Sequence, residues 1–240
     1  MRNLHKVYFK DYYSGIDFSN ADTENNRRII AGRNSILTQK GNLFVIPKNE
    51  LANATIQMTV DYPGLITGTG ITHETKIQGE FKLGMHFDYT YGMPVIYGST
   101  VKGVLRSYFK EEYDGSDADA VIADIFGSTD RASSKSIYDR DIFFDAVVVE
   151  DYKTEEDIEK KETKGQLLVS DAITPHSDNP LKNPVPINFV KVAPGCTVEF
   201  RFRLVNSILK ATQKAEIFKQ ILLNYGIGSK TNVGYGQFVV

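Results

Sequence analysis

The 240-residue sequence predicts an α+β fold, one antiparallel sheet with helices packed on a single face. Three observations predict it. Two segments, Val101–Phe109 and Ser207–Tyr225, repeat apolar residues at helical spacing. Several others alternate apolar and polar residues, the mark of half-buried strands. Their order along the chain, strand, helix, strands, helix, strand, is the order of an α+β layer pair.

Residues 1–40 are polar and aromatic without a clean period, with Tyr8, Phe9, Tyr12, Tyr13 and Phe18 ahead of Arg27, Arg28 and Arg33. They read as an irregular amino-terminal arm holding one short helix. From Thr55 to Tyr62, Ile56, Met58, Val60 and Tyr62 alternate with polar neighbours, giving the first strand. Glycines 64, 68 and 70 interrupt it, and Gly79–Asp88 gives a second strand with Phe81, Leu83, Met85 and Phe87 on one side. After Pro94 and Gly98, Ser99 or Thr100 can cap a helix whose apolar stripe is Val101, Val104, Leu105, Tyr108 and Phe109. Lys102 and Arg106 lie four apart and off that stripe, forming a basic edge.

A second helix is expected over Ala118–Phe126, stopped by Gly127, and a strongly apolar strand over Ile142–Val149. Glu150–Lys164 is a charged connection. Gln166–Ile173 and Thr197–Val205 read as strands, the latter with Arg201 and Arg203 outward. Four prolines between them forbid regular pairing and impose an extended loop. The long helix Ser207–Tyr225 ends at Gly226, and Gln237–Val240 closes the chain as a strand.

Composition narrows the function. With 41% apolar and 24% charged residues and a net charge of −2, the chain has the makings of a core and lacks the signature of disorder. No apolar run approaches the ~20 residues of a membrane span, and the first residues lack the apolar segment of a secretory signal. A soluble cytoplasmic protein is the expectation. Cys196 is the only cysteine and the four histidines are scattered, so no metal site and no cofactor are expected. Charge is uneven: residues 111–164 hold 17 acidic side chains and 7 basic ones, so the remainder is mildly basic. The acidic block reads as a solvated insertion, and the basic remainder leaves room for a nucleic-acid face.

Two glycine-bearing segments carry the chemistry. In Gly226-Ile227-Gly228-Ser229-Lys230-Thr231-Asn232-Val233-Gly234-Tyr235-Gly236, the glycines bring main-chain N–H groups close to a ligand. Lys230 adds charge, Thr231 and Asn232 add hydrogen-bonding groups, and Tyr235 adds a stacking face, a mixture suited to phosphates and bases. A plain glycine-rich hairpin would look similar. The start of the helix at Ser99, Thr100 and Lys102 is the other candidate anion site, against the alternative of an ordinary capped helix. Neither segment matches a phosphate loop of the GxxxxGK[ST] or GxGxxG kind.

Taken together, YGMPVIYGSTVKGVLRSYF resembles the helix start of RAMP proteins, P-x-I-x-G-S-S-x-K-G-x-x-R, and GIGSKTNVGYGQF resembles their carboxy-terminal glycine-rich loop. DIFFDAVVV and DAITPHSDNPLKNPVPINFVKVAPGCTVEFRF resemble the middle of one group in that superfamily, the sixth Cmr subunit of type III-B CRISPR effector complexes. The resemblance covers residues 55–240. It implies an RRM-like, ferredoxin-like sheet with insertions, in residues 51–240 as a single domain beyond the 1–50 arm. It also implies a non-catalytic subunit that holds the 3′ region of a CRISPR RNA, with other Cmr-type subunits and target RNA as partners. Ser99, Thr100, Lys102 and Arg106 match the helix start, and Gly226, Gly228, Lys230, Thr231, Gly234, Tyr235 and Gly236 match the loop. The chain departs from the pattern at Tyr97, where proline is usual, and at Thr100, where serine is usual. Two other readings stay open. One is a metal-independent RNA endonuclease using His86 or His73 as its base. The other is a structural subunit that docks neighbours through Tyr12, Tyr13, Phe18 and the acidic block.

Overall fold

The computed structural model describes residues 2–68, 75–127, 136, 139–174 and 186–240. The first half contains α1 (Leu4–Lys6), α2 (Glu24–Thr38), β1 (Ala54–Val60), β2 (Val95–Ile96), α3 (Gly98–Glu112) and α4 (Ala118–Phe126). The second contains β3 (Ile142–Phe143), β4 (Ala146–Glu150), α5 (Glu155–Glu159), β5 (Leu168–Ile173), β6 (Ile187–Val192), β7 (Thr197–Arg203), α6 (Ala211–Tyr225) and β8 (Phe238–Val239).

The main sheet runs β2-β4-β7-β1-β8, with β3 joined to β7, and all its pairings are antiparallel. Reduced to β1, α3, β4, β7, α6 and β8, the chain is a β-α-β-β-α-β unit with strand order β8-β1-β7-β4, a ferredoxin-like arrangement. β5 and β6 form a separate hairpin inserted between β4 and β7. Sequence alternation explains the layering. Ile56 pairs with Phe200 and Met58 with Val198, so the apolar sides of β1 and β7 share one face. On that face Phe218 of α6 packs against Phe202 and Phe143, with centroids 5.5 and 5.8 Å apart. The stripe of α3 is fully buried at Val101, Leu105 and Phe109, as its spacing requires.

Deep in this layer lies a charged cluster. Nζ of Lys214 donates to Asp141 Oδ2 at 2.6 Å, to the Val205 carbonyl at 2.7 Å and to Ser207 Oγ at 2.9 Å. Both Lys214 and Asp141 side chains are only 1% exposed. Asp141 also accepts the Val205 N–H at 2.7 Å, so the pair ties α6 to β3 and to the end of β7.

The other face of the sheet is not bare. Arg201, expected outward, is buried, because its guanidinium donates to Glu199 at 2.7 Å and to the carbonyls of Pro47 and Ile46 at 3.0 and 3.4 Å. Residues 46–47 therefore lie across that face.

Residues 1–50 hold more than one short helix. α2 has 15 residues, capped by Thr23, and Leu4, Val7, Tyr8, Tyr12, Ile30 and Leu37 join the same core as the sheet. The hydroxyl of Tyr8 donates to the Leu83 carbonyl and that of Tyr12 accepts the Phe81 N–H, each at 2.8 Å. These bonds also explain why Gly79–Asp88 is not a strand. Its alternation holds, with Phe81, Leu83, Met85 and Phe87 buried, but its backbone is satisfied by tyrosine hydroxyls and isolated bridges instead of a ladder. The proline-rich stretch differs too: pairing resumes at Ile187 to form β6, directly after the last proline. The last helix begins at Ala211, four residues later than its apolar pattern suggests.

In the acidic block, α4 spans the expected residues, and α5 opens with a reciprocal cap between Thr154 and Asp157. Lys40 Nζ reaches the Asp157 carboxylate at 2.6 and 2.8 Å, joining the end of α2 to α5. Lys40 and the Thr154 groups hold the Asp157 carboxyl down at about 2, against an ordinary 3.8. A depressed carboxyl contributes stability above its unfolded value that is lost as pH falls toward its folded one. Denaturation midpoints should therefore fall between pH 4 and pH 2, and more steeply in the native protein than in Asp157→Asn.

Candidate nucleic-acid interface

The start of α3 is built differently from the expectation. Tyr97 precedes the first turn and its carbonyl accepts the N–H groups of Thr100 and Val101 at 2.8 and 3.0 Å. Ser99 and Thr100 thus fall inside the helix, and neither hydroxyl caps it. The Gly98 N–H donates to Asp145 Oδ1 at 2.7 Å. A carboxylate already sits where the helix end favours an anion, leaving only the Ser99 N–H of that turn without an acceptor among the described residues. Glycine is required at 98 for a separate reason, since a Cβ there would lie 2.1 Å from the Phe143 carbonyl oxygen. Beyond it, Lys102 Nζ stands 5.9 Å from the centre of the Phe143 ring, and Arg106 is exposed one turn further on. Neither makes an ion pair among the described residues.

The glycine loop leaves α6 at Gly226 and folds back on itself. Ile227 donates to the Gly236 carbonyl, Ser229 to that of Ile66, and Gly236 to that of Gly64, at 2.8–2.9 Å. At Gly236, φ is +70° and a Cβ would lie 1.9 Å from the Ile227 carbonyl oxygen, so only glycine fits. Gly228 is likewise pressed against the Ile66 carbonyl. Most of these glycines thus serve closure of the loop, not approach to a ligand.

Its tip is open. Lys230 is left-handed (φ 62°, ψ 34°) and is followed by the right-handed turn Thr231–Val233, which Gly234 ends. Successive residues of opposite hand turn their N–H groups into one concavity, an anion-binding nest. The amides of Lys230, Thr231 and Asn232 have no acceptor among the described residues, and Asn232 is exposed. Tyr235 is a correction: it does not offer a free face. Its ring is buried against Phe189 and under Lys191 Nζ, and its hydroxyl donates to Asp171 at 2.9 Å. Burial and that carboxylate push its pKa upward.

No hydrogen bond, ion pair or ring contact joins the loop directly to the first turn of α3 among the described residues. They are linked through a ledge of intervening chain. Ser229 bonds to Ile66 and Gly68, Thr67 Oγ1 accepts the His86 N–H at 2.9 Å, and the His86 ring stacks on Tyr97 at 4.5 Å. His86 is half-buried, and burial lowers its pKa. Its Nδ1 is enclosed without a partner among the described residues. His73 and His176 lie outside the described residues. Among the described residues no group of three His, Cys, Asp or Glu could hold a metal, and no helix is long and apolar enough to cross a membrane.

Residues 57–239 match the family model of the RAMP superfamily. No curated protein matches the chain. Among solved structures it is similar to a cryo-EM structure of the type III-B Cmr-beta bound to cognate target RNA. Identity is 24% and the TM-score 0.55, over 77% of this chain and 56% of that one. It is also similar to Cmr6 from Pyrococcus furiosus, at 21% identity and a TM-score of 0.39, over 80% of this chain and 99% of that one. For oligomeric Cmr4 from the same organism the values are 16% and 0.36, over 78% and 98%.

Proposed function

The chain belongs to the RAMP superfamily, and from that premise we propose that it is a non-catalytic, RNA-binding subunit of a type III-B, Cmr-type CRISPR effector complex. It acts in the cytoplasm, holds the 3′ region of the CRISPR RNA beside other Cmr-type subunits, and so serves defence against foreign RNA. One observation carries the reading: the loop tip presents three adjacent N–H groups, on Lys230, Thr231 and Asn232, that have no acceptor among the described residues, next to a lysine charge. That is a grip for a phosphate and is indifferent to base sequence. Lys102 and Arg106 extend it as point charges further along the ledge, while Asp145 takes the end of α3.

A salt series tests it. Retention of unrelated single-stranded RNAs should weaken alike in Lys230→Ala, and each phosphate left without its cation should flatten the log–log salt slope by about 0.7. The same change in Lys102→Ala and Arg106→Ala would place those cations on the RNA. Unchanged slopes in all three would remove the site. Metal-free cleavage of repeat RNA that disappears in His86→Ala would replace binding with endonuclease chemistry.

A further inference from the structure

Beside the glycine loop lies a cavity of about 440 Å³ that no part of the foregoing uses. Its walls include Tyr62 and Tyr152, with Gln166 just before β5 and Ser170 on β5. We propose that this cavity receives one unpaired nucleobase of the RNA whose phosphate rests on the Lys230–Asn232 nest. The proposal deepens the RNA-binding reading and rests on it for the identity of the polymer.

Four observations support a base as the occupant. First, the two tyrosines are wet, Tyr62 being 79% and Tyr152 41% exposed, and neither ring stacks on another among the described residues. The Tyr152 ring rests against Gly195, while Tyr62 is open, and an exposed aromatic surface at a cavity is what a splayed base stacks on. Second, the cavity's charges cancel: Lys40 is held by Asp157 at 2.6 Å and Lys191 by Asp171. A site with paired charges suits a neutral ring better than a phosphate.

Third, Gln166 is fixed in one orientation. Its Nε2 donates to the carbonyls of Thr38 and Leu168, both at 2.6 Å, which uses both of its N–H groups. Its Oε1 has no donor among the described residues, and neither does the Ser170 hydroxyl. A held acceptor of this kind fits an N–H on a base edge, such as the amino group of adenine or cytosine. Fourth, the cavity and the loop share a wall. Asp171 accepts the Tyr235 hydroxyl from the loop, and Pro63, next to Tyr62, packs on Gly234. A volume of this size is ample for a nucleoside.

The test uses the full chain and the shortest oligoadenylate it retains, with one abasic site placed at each position in turn. One position should stand out, where the lesion weakens binding by about 10-fold. In the Tyr62→Ala/Tyr152→Ala variant, intact RNA should lose the same factor and that lesion should cost nothing more. Tyr62→Phe/Tyr152→Phe should bind like the native chain, and matched melting curves check that the fold is kept. No sensitive position, or equal losses on intact and abasic RNA in the Ala variant, would overturn the proposal. A native chain that binds no RNA would sink the RNA-binding reading instead. The cavity would then be judged by NMR saturation transfer to the base protons of AMP, with transfer lost in the Ala variant supporting it and none in the native chain refuting it.

Discussion

Lys214→Met should lower folding stability by about 3–5 kcal/mol, the usual loss when one partner of a buried ion pair is removed. The methionine fills similar space, but the Asp141 carboxylate stays behind at 1% exposure, left with the Val205 N–H as its donor. The Val205 carbonyl and the Ser207 hydroxyl lose the ammonium as well. Because the pair ties α6 to the β3 end of the sheet, the loss should appear as a lower urea midpoint with the cooperative slope unchanged. Adding Asp141→Leu should return part of the stability. A deficit of about 1–3 kcal/mol should remain, because the Val205 N–H is then buried without an acceptor. If the single and double variants are equally unstable, the two residues are not coupled, and the cluster does not act as a pair.

Gly236→Ala is the second large effect. At φ +70° any other residue costs about 1–3 kcal/mol, and here the new Cβ would also sit 1.9 Å from the Ile227 oxygen. Relief of that overlap must break the Ile227–Gly236 and Gly236–Gly64 bonds that hold the loop shut. A total loss of roughly 2–5 kcal/mol is expected in thermal or chemical melts. RNA retention should fall further than melting alone explains, since the nest at Lys230 hangs from the same closure. Retention that survives a displaced loop would separate the RNA grip from the glycines.

Much of the fold was legible because local pattern and tertiary context agree. The stripe of α3, the span of α4 with its Gly127 stop, and the alternation of β1 and β7 are read directly from apolar spacing. The misses share a cause: backbone groups satisfied by partners far away in sequence. Tyr8 and Tyr12 satisfy the 81–83 backbone from 69 or more residues away, and the Pro47 carbonyl draws Arg201 inward across 154. No periodicity encodes such pairings. At the candidate site, the glycine loop and Lys230 were visible in composition, but the roles of the glycines were not. Close self-approach and ligand approach require the same residue. Asp145 was one acid among many until its oxygen appeared on the Gly98 amide. Tyr62 read as the last apolar position of the first strand, which in fact ends at Val60, and Tyr152 gave no signal; they are 90 residues apart and meet only around a cavity.

The family match begins at residue 57, yet α1 and α2 pack into the same apolar interior as the sheet, with α2 lying against β5. An expression fragment trimmed to the matched region would therefore be no tidier than the whole. Stripping that cover would lay Phe81, Leu83, Phe87 and Leu168 bare to water and unhook Arg201 from its carbonyl clasp, and the product should precipitate. Anyone dissecting this protein should leave its first quarter intact and place tags near the exposed Val240 instead.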